Sequence, residues 1–224
     1  MLLYLLPILA IHAEDGYRLW LRYDLISDKI LLNKYSQAIT GININGNSAS
    51  VIATRNELAI ALRGLLGKTI PVQNNLSGAG IIAGTPTSSP VIASFSLQEK
   101  LKLIGQEGYL IFTKQINSKP CILIAANTDI GILYGSFHLL RLLQTHQSIQ
   151  DLSIASSPKI QLRILDHWDN LNRTVERGYA GISIWKWHLL PGYIDQRYID
   201  YARANASLGI NGTVLTNVNA NALV

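Results

Sequence analysis

Residues 162–187 read LRILDHWDNLNRTVERGYAGISIWKW, an apolar run followed by a cluster of polar and aromatic residues. An apolar run at 162–165 predicts a buried strand. The next five residues are polar or aromatic: Asp166, His167, Trp168, Asp169 and Asn170. Sugar pockets combine polar anchors with aromatic platforms, because sugars present both hydroxyl groups and flat C–H faces. The stretch therefore predicts a sugar-binding site at a strand end. A core strand followed by a well-packed loop is the alternative.

Three short segments carry a resemblance to a known family: ILDHWDN at 164–170, ERGYAG at 176–181 and SIW at 183–185. They resemble the first barrel strand and the following loop of glycoside hydrolase family 67, the alpha-glucuronidases. A weaker resemblance extends from about residue 16 to the end. It includes EGY at 107–109 and GILYGSFHLLRLLQ at 131–144. The resemblance implies an α/β chain: an α/β sandwich domain of the hexosaminidase second-domain type, then the start of a (β/α)8 barrel.

Composition narrows the range of functions. The 224 residues include 48% hydrophobic residues, which is enough for a substantial core. The net charge is +5, but the 19 Lys and Arg residues never form a run of five, so we expect no nucleic-acid partner. The one cysteine, Cys121, lies in the apolar run CILIAA and is expected to be buried. No second cysteine or close histidine pair accompanies it, so we expect neither a metal nor a cofactor.

The first thirteen residues, MLLYLLPILAIHA, are apolar and end before Glu14 and Asp15. The run is too short to span a bilayer, so we expect no membrane span. It fits a signal peptide at 1–13 with an A-x-A-like end, which predicts a secreted or periplasmic protein. A short apolar strand of the mature fold is the alternative.

Residues 16–147 alternate strand and helix patterns, which predicts an N-terminal domain with a sheet covered by helices. We expect a first strand around 18–23 with Trp20 in the core, and two strands or a hairpin about 45–47. Thr54 and Glu57 have capping-box spacing and predict the start of a helix that Gly67 ends. Further strands are predicted at 68–72, 80–84, 108–114 and 121–126. Helices are predicted at 97–104 and from 129 onward. His138 lies beside the apolar stripe of the second helix and is assigned no role.

A polar linker at 148–158 precedes a strand–loop–helix–strand pattern, with strands at 162–168 and 212–218 and a helix at 196–208. This predicts parallel strands, and in a (β/α)8 barrel the ligand-binding side chains follow the carboxyl ends of such strands. Residues 159–224 are therefore expected to be the first βαβ portion of such a barrel. The segment is far shorter than the roughly 250 residues of a full barrel, so we expect a truncated catalytic domain.

The resemblance implies a function as well as a fold. Family 67 enzymes remove 4-O-methyl-D-glucuronic acid from xylooligosaccharides with inversion, so the implied partners are glucuronic-acid-substituted xylooligosaccharides. A homodimer is expected only of the full-length enzyme. Trp168 and Val218 match the residues that wall the pocket near the 4-O-methyl group, and Asp166, His167, Asp169 and Asn170 are expected to shape that corner.

No catalytic carboxylate is expected within residues 1–224, because in the family these groups come from later barrel strands. Asp166 and Asp169 are too close along one strand end to flank a scissile bond from both sides. Arg173 and Arg177 are assigned no role. Two alternatives stay open: a non-catalytic carbohydrate-binding or interaction module, and part of another barrel glycosidase such as a hexosaminidase.

Overall fold

A computed structural model describes residues 15–76, 78–170 and 172–217. The predicted signal peptide at 1–13 lies outside these residues. The chain forms a mixed α/β structure with one five-stranded mixed sheet and one parallel pair of strands. The elements in chain order are α1 (Lys29–Ala38), β1 (Ile42–Ile44), α2 (Ala49–Leu66), β2 (Gly80–Gly84), α3 (Pro90–Ala93), α4 (Gln98–Ile104), β3 (Tyr109–Ile116), β4 (Lys119–Ala126), α5 (Asp129–Gln144), β5 (Ser153–Ser156), β6 (Ile164–Asp169), a 3-10 turn (Trp187–Leu189), α6 (Gln196–Ser207) and β7 (Gly212–Asn217).

The five-stranded sheet has the order β1-β2-β4-β3-β5. Strands β1, β2 and β4 run parallel, and β3 pairs antiparallel with both β4 and β5. Helices cover both faces, so the central strand β4 is buried on both sides. Its even-numbered residues, such as Ile122 and Ile124, join the core under α2 and α5. Its odd-numbered residues, Cys121 among them, join a second core under α3 and α4.

Several predicted elements of this domain are confirmed. The sheet contains strands at 80–84 and over both predicted runs between 108 and 126. Helix α5 is capped by Thr128, whose hydroxyl accepts from the Gly131 N–H. Its apolar stripe, including Leu140 and Leu143, is buried as the helical period predicts. His138 contacts the Tyr109 hydroxyl at 2.9 Å.

Four predictions in the first half of the domain are wrong. No hairpin forms at 45–47, because β1 pairs in parallel with β2 and the chain then enters α2. Ser48, rather than Thr54, caps that helix, although Gly67 ends it with a φ of 65° as predicted. The predicted strand at 68–72 reduces to a single bridge between Val72 and Ile42. Residues 17–20 form turns instead of a strand.

Trp20 is therefore not a core residue. Its side chain is 44% exposed, and its indole N–H donates to the Ser207 hydroxyl at 2.6 Å. This contact links the start of the described chain to α6. The prediction for Trp20 is wrong because its partner, Ser207 at the end of α6, is distant in the sequence and cannot be inferred from the residues around Trp20.

Strands β6 and β7 pair in parallel, with α6 between them in the chain, as predicted. The predicted burial of 162–165 is wrong, because Leu162 is 71% exposed and Ile164 and Leu165 are each 39% exposed. Helix α6 packs against α5 of the larger sheet domain. Two polar clusters reinforce this junction. Arg203 of α6 pairs with Glu57 of α2, and Arg163 just before β6 pairs with Glu107. No helix within the described part of the chain is long and apolar enough to cross a membrane.

Candidate functional site

The predicted site residues lie at the carboxyl end of β6, where strand alternation divides them between two faces. Asp166 and Trp168 share one face with Ile164. His167 and Asp169 share the opposite face with Leu165. The parallel register places Val214 of β7 opposite Asp166, so Val214 belongs to the face of Trp168. We call the face with Asp166, Trp168 and Val214 the open face.

Side chains on the open face are exposed. Trp168 keeps 53% of its surface accessible, and Val214 is also exposed. The Trp168 indole N–H donates to Asp166 Oδ2 at 3.1 Å, which ties together two side chains two residues apart on the strand. The open face therefore presents an accessible aromatic ring beside a carboxylate. Such a surface suits a ligand with a flat apolar face and nearby hydroxyl groups.

The carboxyl end of the opposite face, at His167 and Asp169, is covered by α6 and by the loop that precedes it, whereas Leu165 on the same face is 39% exposed. His167 Nε2 lies 2.7 Å from the Tyr201 hydroxyl, and its ring meets that of Trp185 edge-on at 5.7 Å. Trp185 is 7% exposed and packs against Tyr198 with ring centroids 4.5 Å apart. His167 thus contacts an aromatic cluster that fastens α6 to the strand. Tyr198 and Tyr201 lie three residues apart, and this spacing, which is visible in the sequence, places both rings on one side of α6.

Asp169 is 1% exposed and belongs to the same covered side. Its Oδ2 accepts from the Trp187 indole N–H at 3.0 Å, while Oδ1 has no hydrogen-bond partner within the described chain. Asp166 and Asp169 therefore lie on opposite faces of one strand and do not converge on a common ligand.

Asn170 organises the loop after β6. Its side-chain amide donates to Thr174 Oγ1 at 2.8 Å and to the Glu176 carbonyl at 2.7 Å. The Glu176 N–H in turn donates to the Trp168 carbonyl at 2.8 Å. The loop is thereby folded back onto the strand end and fixes the backbone of Trp168. Arg173 supports the same loop, because its guanidinium donates to the Ser183 carbonyl at 2.9 Å.

The start of α6 is fixed by a charged pair. Lys186 Nζ contacts Asp195 Oδ2 at 2.6 Å, and Asp195 also caps the helix by accepting from the Arg197 N–H. The hydrogen bond from Lys186 and then that from Arg197 lower the pKa of Asp195. Asp195 therefore stays ionised at neutral pH, and its negative charge stabilises the helix by interacting with the positive, N-terminal end of the helix dipole.

The predicted residues thus have three distinct placements. Asp166 and Trp168 meet on the open face, His167 and Asp169 pack under α6, and Asn170 holds the loop. Val218 lies outside the described residues, so its part in the site stays a prediction. Across 15–76, 78–170 and 172–217, no group of three or more His, Cys, Asp or Glu residues could hold a metal ion.

An accessible indole and a carboxylate at the end of a parallel strand define a candidate carbohydrate site, and family models place the chain among the glycoside hydrolases. The chain belongs to glycosyl hydrolase family 67. Residues 19–139 match the model of the family's N-terminus, and residues 142–224 match that of its middle domain. The resemblance carried by the segments around Trp168 is confirmed.

Curated relatives agree with this assignment. The chain is 31% identical over 219 residues to alpha-glucuronidase A of Emericella nidulans, covering 93% of this chain and 25% of that protein. It is 31% identical over 235 residues to an alpha-glucuronidase of Hypocrea jecorina, covering 99% of this chain and 27% of that protein. The chain therefore spans about a quarter of the length of the curated relatives that it matches.

Solved structures agree on the fold. A family GH115 4-O-methyl-alpha-glucuronidase with specificity for decorated arabinogalactans superposes with a TM-score of 0.52 at 16% identity, over 79% of this chain and 25% of its own. A GH138 enzyme targeting pectin rhamnogalacturonan II superposes with a TM-score of 0.50 at 18% identity, over 79% and 18%. At these identities the likeness concerns the fold alone.

Proposed function

We propose that this chain is the N-terminal part of an inverting alpha-glucuronidase, which removes 4-O-methyl-D-glucuronic acid from xylooligosaccharides in xylan degradation. The observation that carries the proposal is the exposed Trp168 at the carboxyl end of β6, in a chain of family 67. The names of the relatives in Emericella nidulans and Hypocrea jecorina support the same activity.

In this proposal residues 159–224 form the first βαβ portion of a (β/α)8 barrel. Two features support it: β6 and β7 are parallel, and aromatic residues of α6 cover one of their two faces. The open face is then the inner face of the barrel, where side chains at the carboxyl ends of strands bind ligands. Residues 16–147 are the N-terminal domain of the hexosaminidase second-domain type. Residues 148–158 are the linker, whose strand β5 extends the sheet of that domain.

Trp168 and Val218 are proposed to wall the pocket around the 4-O-methyl group, because a methyl ether favours an apolar surface. Burial of one such group contributes about 0.8 kcal/mol. Asp166 lies beside Trp168 on the open face and shapes the same corner. His167, Asp169 and Asn170 act indirectly, since their contacts fix α6 and the loop against the strand that carries Trp168.

The acid and base of the reaction are proposed to come from parts of the full protein that have no counterpart in this chain. Inversion needs two carboxyl groups about 6.5–9.5 Å apart on either side of the scissile bond, with room for a water molecule. Asp166 and Asp169 do not meet this requirement, because they lie on opposite faces of β6. The 224-residue chain is therefore expected to be inactive by itself.

We also propose that the protein is exported, to the periplasm or the exterior, with residues 1–13 acting as a signal peptide. The apolar run and the charged residues that follow it support this. Intact mass of the protein recovered from the producing cell tests the proposal. A mature chain that still begins at Met1 contradicts cleavage.

The activity is tested with the full-length gene product and the 224-residue chain side by side on aldouronic acids. We expect methylglucuronate release from the full-length protein alone, and NMR of the first product should show the anomer opposite to the substrate linkage. Release by the 224-residue chain would contradict the placement of the acid and base. A full-length protein that cleaves no uronic-acid linkage would contradict the function itself.

A further inference from the structure

The hydrogen bond between Trp168 and Asp166 gives the open face a second property beyond its aromatic surface. An indole that is 53% exposed has few packing contacts to select one rotamer. The bond from Trp168 Nε1 to Asp166 Oδ2, at 3.1 Å, supplies a contact that fixes both the position and the tilt of the ring. It also occupies the indole N–H, so that the ring offers a ligand its apolar face.

Asp166 also gives the open face a negative charge. Asp166 is the only charged side chain that β6 and β7 place on the open face within the described residues, since Ile164 and Val214 are apolar. A glucuronic acid carries its own carboxylate on one edge of the ring and, when methylated, a neutral ether on a neighbouring edge. Two carboxylates a few ångströms apart repel each other.

We propose that Asp166 is a positioning residue: it holds the Trp168 indole in one orientation and, through its negative charge, directs the ether edge of the sugar to the indole and the carboxylate edge away from it. This inference rests on the proposed function and deepens it. It assigns part of the selectivity for methylated glucuronic acid to a residue that contacts the aromatic wall and takes no part in the reaction.

Two substitutions separate the hydrogen bond from the charge. Asp166→Asn keeps an oxygen that accepts from the indole but removes the charge. Asp166→Ala removes both. Glu99→Gln, which changes an exposed side chain of α4 in the N-terminal domain, is the matched charge control. Trp168→Ala gives the value expected when the aromatic wall itself is lost.

The first measurement reports the indole directly and needs no activity. In ¹H–¹⁵N spectra of the 224-residue chain, the Trp168 indole resonance is assigned by its loss in Trp168→Phe. We expect this resonance to move and its exchange with water to quicken in Asp166→Ala, and to keep its protection in Asp166→Asn. An indole resonance unchanged in Asp166→Ala overturns the positioning role.

The second measurement compares kcat and KM of the full-length gene product on methylated and unmethylated aldouronic acids. Asp166→Ala should lose the preference for the methylated substrate by about fourfold, the value of one buried methyl-sized group, as Trp168→Ala does. Asp166→Asn should keep that preference, while kcat and KM fall together because the sugar now also binds in the reversed, unproductive orientation. Glu99→Gln should change neither.

Failure of the proposed function and failure of the positioning role would give different results. A wild-type full-length protein with no alpha-glucuronidase activity contradicts the proposed function, whatever the spectra of the 224-residue chain show. An active wild type whose Asp166→Ala variant keeps its full preference for the methylated substrate contradicts the positioning role alone. Should Asp166→Ala fold poorly, unchanged kcat and KM in the better tolerated Asp166→Asn would refute the charge effect.

Discussion

Replacement of Arg203 should reveal how strongly the βαβ portion is fastened to the N-terminal domain. Arg203 reaches from α6 to Glu57 of α2 with two hydrogen bonds, Nε to Oε2 at 2.5 Å and Nη2 to Oε1 at 2.9 Å. The Glu57 side chain is only 6% exposed and also accepts from the Tyr23 hydroxyl. Burial and then the Glu57 carboxylate raise the pKa of Tyr23 far above its usual range, so this hydroxyl stays a donor. Arg203→Met therefore leaves a buried carboxylate with Tyr23 as its remaining partner.

Removal of one partner from a buried ion pair costs about 3–5 kcal/mol, because the other charge stays uncompensated. The Arg203 side chain is 29% exposed, so solvent already screens part of the attraction and the lower end, about 3 kcal/mol, applies. For a domain of this size that corresponds to a fall in Tm of about 6–12 °C. The double variant Glu57→Gln/Arg203→Met removes the uncompensated charge and should recover more than half of the loss.

The assay is urea unfolding of the 224-residue chain followed by tryptophan fluorescence, with scanning calorimetry for Tm. Arg197→Met, on the exposed side of the same helix, is the matched control and should change the free energy of unfolding by less than about 0.5 kcal/mol. A cost below about 1 kcal/mol for Arg203→Met would contradict a buried ion pair at this junction, as would a double variant less stable than Arg203→Met alone.

Three further predictions use the same unfolding assay. Trp185→Ala should lower the free energy of unfolding by about 3–5 kcal/mol, because the ring is 7% exposed within the aromatic cluster under α6. Trp168→Ala should lower it by less than about 1 kcal/mol, because that ring is 53% exposed. Equal losses in the two variants would contradict the two-face arrangement. Burial acts to raise the pKa of Glu107, but hydrogen bonds from Arg163 and Asn211 outweigh it and lower that pKa. The contribution of Glu107 to the free energy of unfolding should therefore be at its full value above the unfolded pKa of about 4.3 and should be lost as the pH falls further. Glu107→Gln should remove this pH dependence. Gly135→Ala should lower the free energy of unfolding by about 1–3 kcal/mol, because a Cβ there would lie 2.6 Å from Ile124 Cγ2. A variant as stable as the parent would contradict the tight packing of α5 on β4.

Sequence periodicity predicts those elements whose burial repeats along the chain. Helix α5 and strands β2 and β4 belong to this class, because each buries a regular set of side chains against neighbours on the same sheet. Motif spacing is a weaker guide when a residue has a distant partner. Thr54 and Glu57 match a capping box, yet Glu57 is a buried partner of Arg203, 146 residues away. Nothing in the local sequence records that contact.

The candidate site likewise combines features that the sequence predicts with features that depend on distant contacts. Its location at the end of a strand follows from the change from apolar to polar residues after Leu165. Alternation along the strand also separates Asp166 and Trp168 from His167 and Asp169. Which of those two faces is covered, however, depends on where α6 packs. That helix contacts His167 through Tyr201, packs on α5, and pairs with α2 through Arg203 and Glu57, and none of these contacts can be read from the sequence of β6.

The junction also explains why one end of the parallel strands serves stability and the other is available for a ligand. Arg163 and Asn211 immediately precede β6 and β7, and both donate to Glu107, with Arg163 Nη2 at 2.5 Å and Asn211 Nδ2 at 3.0 Å. A carboxylate of the N-terminal domain therefore ties together the amino ends of both strands. Trp168 lies at the opposite, carboxyl end of β6, the end at which barrel enzymes place their ligands. The contacts of Glu107 therefore lie at the end of β6 away from Trp168, so mutations at Glu107 should lower stability and leave the hydrogen bond between Trp168 and Asp166 intact.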